Sequence, residues 1–348
     1  MAKARKWIIN ILILLVSTGL TLYFVLRKRD LGEILSILNG AKPLPCIAAL
    51  ALVVIFILSE AFIIKILARA AGIKAKTHHC FLYSFTGFFF SAITPSASGG
   101  QPMQAYFMKK DGIPVSVSAP VLAIVTVLYK GVLILTSLAV LIIRPAAIMK
   151  YLEPVMFWMW LGIVLNIIFE VILIAAIFVP GAIRSILYFC IRIYKRFFKK
   201  TNTEKLLEKA DRWIASYTGV TTCFKKRKKT IATAFLITVL QRFALFLIPW
   251  LCCAAMHIER VNIAVITFLQ AMISSAVDML PLPGGTGISE SIFYSVFLPI
   301  IGEEAVIPVM VMSRGLSYYS QMLLGGIFTA VAFFTIGRYP RKHDIYKQ

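Results

Sequence analysis

The segment DMLPLPGGTGISE, residues 278–290, decides which fold this sequence can adopt. It lies between two apolar runs, where a membrane helix is expected to continue. Two prolines and three glycines break the helix, because proline lacks a backbone donor and glycine has a low helix preference. The breaking residues are Pro281, Pro283, Gly284, Gly285 and Gly287.

A second segment, ITPSASGGQP at residues 93–102, repeats this pattern in the first half of the chain. It also places prolines, small polar residues and a Gly-Gly pair inside an apolar run. Paired interruptions in corresponding positions of two halves indicate a transporter binding site. The alternative is a pair of ordinary turns outside the membrane. The residues of this segment that we single out are Pro95, Ser98, Gly99, Gly100, Gln101 and Pro102.

The composition predicts a polytopic membrane protein. Of the 348 residues, 59% are hydrophobic, and the mean hydropathy is +0.85. A soluble domain cannot bury so much apolar surface. We therefore expect an all-α fold, with one integral membrane domain over residues 1–348 and six full transmembrane helices. The predicted spans are 7–26, 44–67, 115–143, 155–179, 231–256 and 305–337.

The two interrupted runs are predicted to form re-entrant helical hairpins. After the first break only residues 101–108 remain before Lys109. Eight helical residues reach about 12 Å, whereas the hydrocarbon layer is about 30 Å thick. This segment therefore enters and leaves on one side. The order span, span, hairpin, span then occurs twice, in residues 7–143 and 155–337, as an inverted-topology repeat.

The charge distribution predicts the orientation. The net charge is +22, from 37 basic and 15 acidic residues, and it lies in short blocks between apolar runs. Residues 181–230 hold 14 basic and 3 acidic residues. The positive-inside rule places this segment and both termini in the cytoplasm, beside the anionic lipid of the cell membrane. We expect no nucleic-acid partner.

The chemistry expected at the breaks is anion binding. A helix that starts inside the membrane has N–H groups without partners, and these groups favour a phosphate. Thr286, or Gly287 together with Glu290, is expected to cap the helix after the second break. Arg242 and Arg314 would add fork-shaped phosphate donors. The glycine pairs would let a lipid headgroup approach the backbone closely.

The charged residues within the spans follow the predicted repeat. Lys130 and Arg314 each lie 30 residues after a glycine of their pair, Gly100 and Gly284. Charge at the bilayer centre is costly, so the arginines need a cavity or partners. Structural ion pairs are the alternative to a phosphate site, and the candidate carboxylates are Glu60, Asp278 and Glu290. Lys130 and Glu170 can instead lie near span ends, where long side chains reach the interface.

The sequence contains no set of residues that is typical of catalysis. There is no Ser/His/Asp arrangement, no acidic metal cluster and no nucleotide-binding loop. We therefore predict no catalytic residues, no metal and no cofactor.

The two Gly-Gly motifs and the segment RGLSYY at residues 314–319 resemble one family over residues 5–338. It is the lysylphosphatidylglycerol synthase transmembrane-region family of flippase-like proteins. In its larger members this module precedes a domain that transfers lysine from tRNA to phosphatidylglycerol. The module moves the product between leaflets, which protects against cationic antimicrobial peptides. The resemblance implies lipid translocation by a stand-alone member without the synthase domain.

Three functions remain open at this point. The first is flipping or scrambling of an anionic or aminoacylated phospholipid, or of a polyprenyl-phosphate lipid. The second is a membrane component of phosphatidylglycerol lysyltransferase, with a separate lipid synthase as partner. The third is transport of a small anion. Neither the cargo, the energy source nor the oligomeric state follows from the sequence.

Overall fold

The structure is a computed structural model that describes residues 40–197, 203–258, 260–281, 284–285 and 287–336. These residues form fourteen α-helices and no strand, which confirms the all-α fold. The predicted first span at 7–26 lies outside the described residues, as do Pro283 and Thr286. The helices are α1 Pro43–Ala70, α2 Thr77–Ile93, α3 Gly100–Lys110, α4 Val115–Ile143, α5 Ala146–Leu152, α6 Met156–Phe178, α7 Pro180–Phe197, α8 Thr203–Lys226, α9 Lys228–Phe246, α10 Ile248–Ala255, α11 Ile263–Val277, α12 Ile288–Ile301, α13 Glu303–Arg314 and α14 Ser320–Thr335.

Five stretches of the described chain are long and apolar enough to cross a membrane. They correspond to predicted spans two to six. The fourth predicted span begins earlier than expected, at Ala146, because α5 and a 3₁₀ turn over Glu153–Val155 precede α6. The five stretches are Pro43–Ala70, Val115–Ile143, Ala146–Phe178, Lys228–Ala255 and Glu303–Thr335.

The two interrupted runs form pairs of short helices. The first pair is α2 and α3, with 17 and 11 residues. The second is α11 and α12, with 15 and 14 residues. At 1.5 Å per residue none of these helices covers the roughly 30 Å of hydrocarbon in a bilayer. Each break lies where the sequence predicts it, at Thr94–Gly99 and at Asp278–Gly287.

The helices of the two halves pack across each other. α2 packs against α14, and α11 packs against α4 and α6, while α1 packs against α9. The core between them is apolar, whereas large apolar side chains on the outer faces are exposed. Leu240 is 73% exposed and Leu323 is 66% exposed. Lipid tails would cover such faces, because helices satisfy their own backbone hydrogen bonds.

Close packing of α6 on α11 depends on Gly162. A Cβ atom there would lie 2.5 Å from Cα and 2.7 Å from the carbonyl oxygen of Ala276, and still closer to the carbonyl oxygen of Ser275. Real Cβ atoms do not approach backbone so closely. Small residues at such positions let membrane helices come together.

The basic segment after α6 forms α7 and α8. Phe189 on α7 is 60% exposed, and Ile186 on the same helix is 44% exposed. Arg184 of α7 lies 3.4 Å from Asp211 of α8, and both side chains face solvent. An amphipathic helix with exposed apolar and basic residues is typical of a membrane surface.

We predict that Gly162→Ala destabilises the protein, although alanine is the better helix former. The added methyl group has to push α6 away from α11, and overpacking of this kind costs about 1–3 kcal/mol. Thermal unfolding in detergent measures the effect. Gly219→Ala is the matched control, because Gly219 is helical and a Cβ there meets nothing within 4 Å. An equal response of the two variants would contradict the packing role of Gly162.

Candidate functional site

A partly open cavity of about 210 Å³ lies where the two breaks meet. Its walls come from the two breaks, from α1, α2, α4, α9, α11 and α12, and from the end of α13, the turn after it and the start of α14. Both halves of the chain therefore build it. Five of the residues predicted from the sequence line this cavity: Arg242, Arg314, Asp278, Gly284 and Gly285.

The two breaks contact each other directly. The Ser96 hydroxyl donates to the carbonyl oxygens of Met279 and Leu280, at 3.3 and 3.1 Å. Backbone carbonyls in a break have lost their helical partners, so this side-chain donor replaces part of the missing hydrogen bonding.

Each break contains two consecutive residues in the left-handed region of backbone space. In the second break they are Gly284 and Gly285, with φ of 58° and 65°. In the first break they are Ser96 and Ala97, with φ of 49° and 53°. Left-handed backbone is strained for residues with a Cβ atom, and such strain concentrates at functional sites. The conformational counterpart of the second glycine pair is therefore Ser96-Ala97 and not the Gly-Gly pair.

The first glycine pair packs inside its own hairpin. A Cβ on Gly100 would overlap the Ser91 hydroxyl and lie 2.9 Å from the carbonyl oxygen of Gly87. The N–H of Gly99 donates to the Thr94 hydroxyl at 2.9 Å. These glycines let α3 pack close to α2. This packing explains why glycine occurs at both positions, and no ligand is needed to explain it.

The other predicted residues of the first break lie away from the cavity lining. Ser98 and Pro95 are exposed. The Gln101 side chain donates to Thr126 of α4 at 3.0 Å, and Pro102 lies in the first turn of α3. Pro281 is an exposed residue of the second break.

Arg314 is held by two partners. Its Nε donates to Glu290 Oε1 at 3.0 Å, and a terminal nitrogen donates to the carbonyl oxygen of Gly284 at 2.8 Å. Glu290 Oε2 accepts the N–H of Gly287 at 2.5 Å, at the start of α12. Arg314 thus fastens the second break to α12, and the ion-pair interpretation holds for this arginine.

A π-helical turn, Gly315–Tyr319, follows Arg314 and positions Tyr318. The Arg314 guanidinium lies 4.8 Å from the centre of the Tyr318 ring, and the Tyr318 hydroxyl donates to the carbonyl oxygen of Ala92 at 2.7 Å. A single π-helical turn of this type often occurs at a functional site. Tyr318 therefore links Arg314 to the end of α2, and its ring also fills the space beside Gly284.

Lys130 and Asp278 form a buried ion pair. Asp278 also accepts a hydrogen bond from the Tyr129 hydroxyl at 3.0 Å. Lys130 donates in addition to Asn166 Oδ1 at 3.1 Å. Lys130 is 7% exposed and Glu170 is 8% exposed, so the interpretation that they reach the interface from span ends is wrong. Asp278 is the partner of the lysine, not of an arginine.

Arg242 is the cation at the cavity without a carboxylate partner among the described residues. It is 5% exposed, and its Nε has no hydrogen-bond acceptor in the described chain. Its guanidinium stacks on the rings of Tyr129 and Phe246, with 4.1 and 5.1 Å to the ring centres. Arg242 also shares a side-chain hydrogen bond with Tyr129, and cation–π contacts of this kind leave its Nε available to an anion.

Glu60 is buried beside this arrangement and lies close enough to Arg242 to interact with it electrostatically. Gln104 Nε2 donates to its Oε1 at 2.6 Å, and Glu60 does not line the cavity. Its position bridges α1 and α3 and supports the first hairpin.

Sequence reasoning missed several lining residues, among them Ser96, Ala97, Tyr129, Gln270 and Ser274. Gln270 and Ser274 had a usable signal, because they are polar residues four apart on one face of an otherwise apolar helix. Ser96 and Ala97 had none, because nothing in their residue types indicates left-handed backbone.

The chain matches the family described as "Lysylphosphatidylglycerol synthase TM region" over residues 7–325. It belongs to this family. The chain is also 25% identical, over 304 residues, to a protein from Archaeoglobus fulgidus named "UPF0104 membrane protein". That alignment covers 84% of this chain and 88% of the relative. The family resemblance expected from the sequence is confirmed, and the protein is a multi-pass membrane protein.

We predict that Lys130→Met destabilises the fold by about 3–5 kcal/mol, because it leaves the Asp278 carboxylate without its cation. Asp278→Asn should also destabilise it, but less, because Glu170 still lies near Lys130. The double variant Lys130→Met/Asp278→Asn should recover most of the loss. Unfolding in detergent gives the coupling energy of this double-mutant cycle. Arg184→Ala, which breaks an exposed ion pair, should leave the unfolding temperature nearly unchanged. Additive losses in the cycle would contradict the ion pair.

Proposed function

We propose that this protein moves a phosphate-containing lipid between the leaflets of the cell membrane, with the lipid headgroup in the cavity between the two breaks. The observation that carries this proposal is the buried Arg242, which has no carboxylate partner among the described residues. A charge among apolar helices is costly and marks a functional site with a partner. A lipid phosphate is the anion that a membrane supplies in abundance.

The cavity suits an amphiphile because both polar and apolar side chains line it. Arg242, Gln270 and Ser274 give it a polar part, and Phe88 and Leu245 belong to its apolar part. A binding site of this kind holds a headgroup by a few polar groups, while apolar side chains cover the adjoining glycerol and acyl carbons.

We infer six full spans and two re-entrant hairpins that enter from opposite sides. The lengths of the four short helices support this arrangement, because none of them can cross the membrane alone. The packing supports an inverted repeat in which α2 corresponds to α11, α4 to α14 and α1 to α9. The contact of α2 with α14 then corresponds to the contact of α11 with α4, and the contact between α1 and α9 corresponds to itself. Broken helices at the repeat interface are a common site for a transported ligand.

The basic segment 181–230 would lie on the inner leaflet, with both termini in the cytoplasm. Its exposed apolar side chains on α7 would enter the headgroup region, while arginines and lysines attract anionic lipid. This arrangement would raise the concentration of anionic lipid near the transport path. It also agrees with the positive-inside rule.

We predict that Ser274→Phe blocks lipid transfer, because a phenyl ring occupies a large share of a cavity of about 210 Å³. The Ser274 hydroxyl donates only to the carbonyl oxygen of Gln270, in its own helix, so its loss breaks no contact between helices. The assay is leaflet exchange of a tail-labelled phospholipid in proteoliposomes, and the rate should fall at least tenfold.

Ser295→Phe is the matched control. Ser295 makes the same type of bond, to the carbonyl oxygen of Ser291 at 3.0 Å, but lies on α12 away from the cavity lining. Exchange at the rate of the unchanged protein in Ser274→Phe would refute the cavity as the path. Transport of inorganic phosphate without any lipid exchange would favour the small-anion alternative.

A further inference from the structure

The carboxylates that line or border the cavity are all engaged. Asp278 is bonded to Lys130 and Tyr129, and Glu290 is bonded to Arg314 and to the N–H of Gly287. No described residue of the cavity lining offers a free carboxylate. An ammonium group placed in this cavity would therefore find no free carboxylate among the described lining residues.

Two lining side chains have polar atoms without partners in the described part of the chain, and they are of opposite type. Arg242 Nε is a donor, and Gln270 Oε1 is an acceptor. Buried polar atoms normally have hydrogen-bond partners, so we expect a bound ligand to supply the missing partner of each of these two atoms. The complement of the donor is an anionic oxygen, and the complement of the acceptor is a hydroxyl or another neutral donor.

The balance of charge agrees with this pattern. Arg314 and Lys130 each form an ion pair with a carboxylate, whereas no described carboxylate lies within ion-pair distance of Arg242, which interacts with Glu60 only at longer range. Arg242 is therefore the cation at the described cavity lining that can still form a close ion pair with a phosphodiester. A ligand with a net positive headgroup would be repelled by Arg242 and would find no anion to offset its desolvation.

Resting on the proposed function, we propose that the cavity selects a phospholipid with one phosphate anion and an uncharged, hydroxylated headgroup, and that it discriminates against aminoacylated lipid. Arg242 would bind the phosphodiester, and the Gln270 carbonyl would accept a hydrogen bond from a headgroup hydroxyl.

The test compares two lipids in one assay. Proteoliposomes contain tail-labelled phosphatidylglycerol or tail-labelled lysyl-phosphatidylglycerol, and the leaflet exchange rate is measured for each. The unchanged protein should exchange phosphatidylglycerol at least tenfold faster. Because the readout is a ratio of two rates, it does not depend on the fraction of folded protein.

Two variants test the residues. Arg242→Gln should lower the exchange of phosphatidylglycerol at least tenfold and bring the ratio close to one. Gln270→Glu has nearly the same shape and adds a carboxylate, so it should raise the exchange of the lysyl lipid relative to phosphatidylglycerol. Arg260→Gln is the control, because Arg260 is exposed and does not line the cavity, and it should leave the ratio unchanged.

The failures are distinguishable. Absence of exchange above protein-free vesicles for both lipids would refute the proposed function itself. Exchange of lysyl-phosphatidylglycerol as fast as, or faster than, phosphatidylglycerol would overturn this inference and leave the proposed function intact. An unchanged ratio in Gln270→Glu would also overturn it, because this variant keeps Arg242 and still provides a readout if Arg242→Gln does not fold.

Discussion

The burial of charge among apolar helices is the constraint on which the rest of this structure depends. Each cation that enters the apolar interior needs an anion, because the membrane offers no water to solvate it. Lys130 and Arg314 pair with Asp278 and Glu290, and these contacts fasten the second break to α4 and to the end of α13. Arg242 has aromatic rings around it and, in the described chain, no carboxylate within ion-pair distance, although Glu60 interacts with it at longer range. The two ion pairs thus hold the elements around the cavity together, and Arg242 is the side chain that would bind an anion there.

The backbone follows the same logic. Helices cannot simply stop inside a membrane, because each end exposes polar groups. The two breaks contact each other, and the Ser96 hydroxyl donates hydrogen bonds to carbonyl oxygens of the second break. Arg314 donates to the carbonyl oxygen of Gly284, and Tyr318 donates to that of Ala92. Ser96 and Tyr318 therefore each satisfy interrupted backbone of the other half, whereas Arg314 acts within its own half, and the cavity forms only when both halves are in place.

The sequence predicts the helical class, spans two to six and both breaks, because hydropathy and helix-breaking residues act locally. The ion-pair partners could not be predicted. Lys130 and Asp278 are 148 residues apart, and only the packed helices bring them together. The role of the first glycine pair could not be predicted from the sequence either. Gly99 and Gly100 allow close helix packing, and the left-handed backbone of this break lies at Ser96 and Ala97 instead. Arg242 and Arg314 looked alike in sequence, and their different partners separate them.

The most direct test of a lipid phosphate in this cavity is photocrosslinking in native membranes. A phospholipid with a diazirine next to its phosphate would be activated, and the modified residues identified by mass spectrometry. Modification of the segment around Arg242 and Leu245 and of the segment from Gln270 to Ser274, both of which line the cavity, is the expected result. Modification confined to outward-facing residues such as Leu240 and Leu323 would contradict a headgroup site between the two breaks.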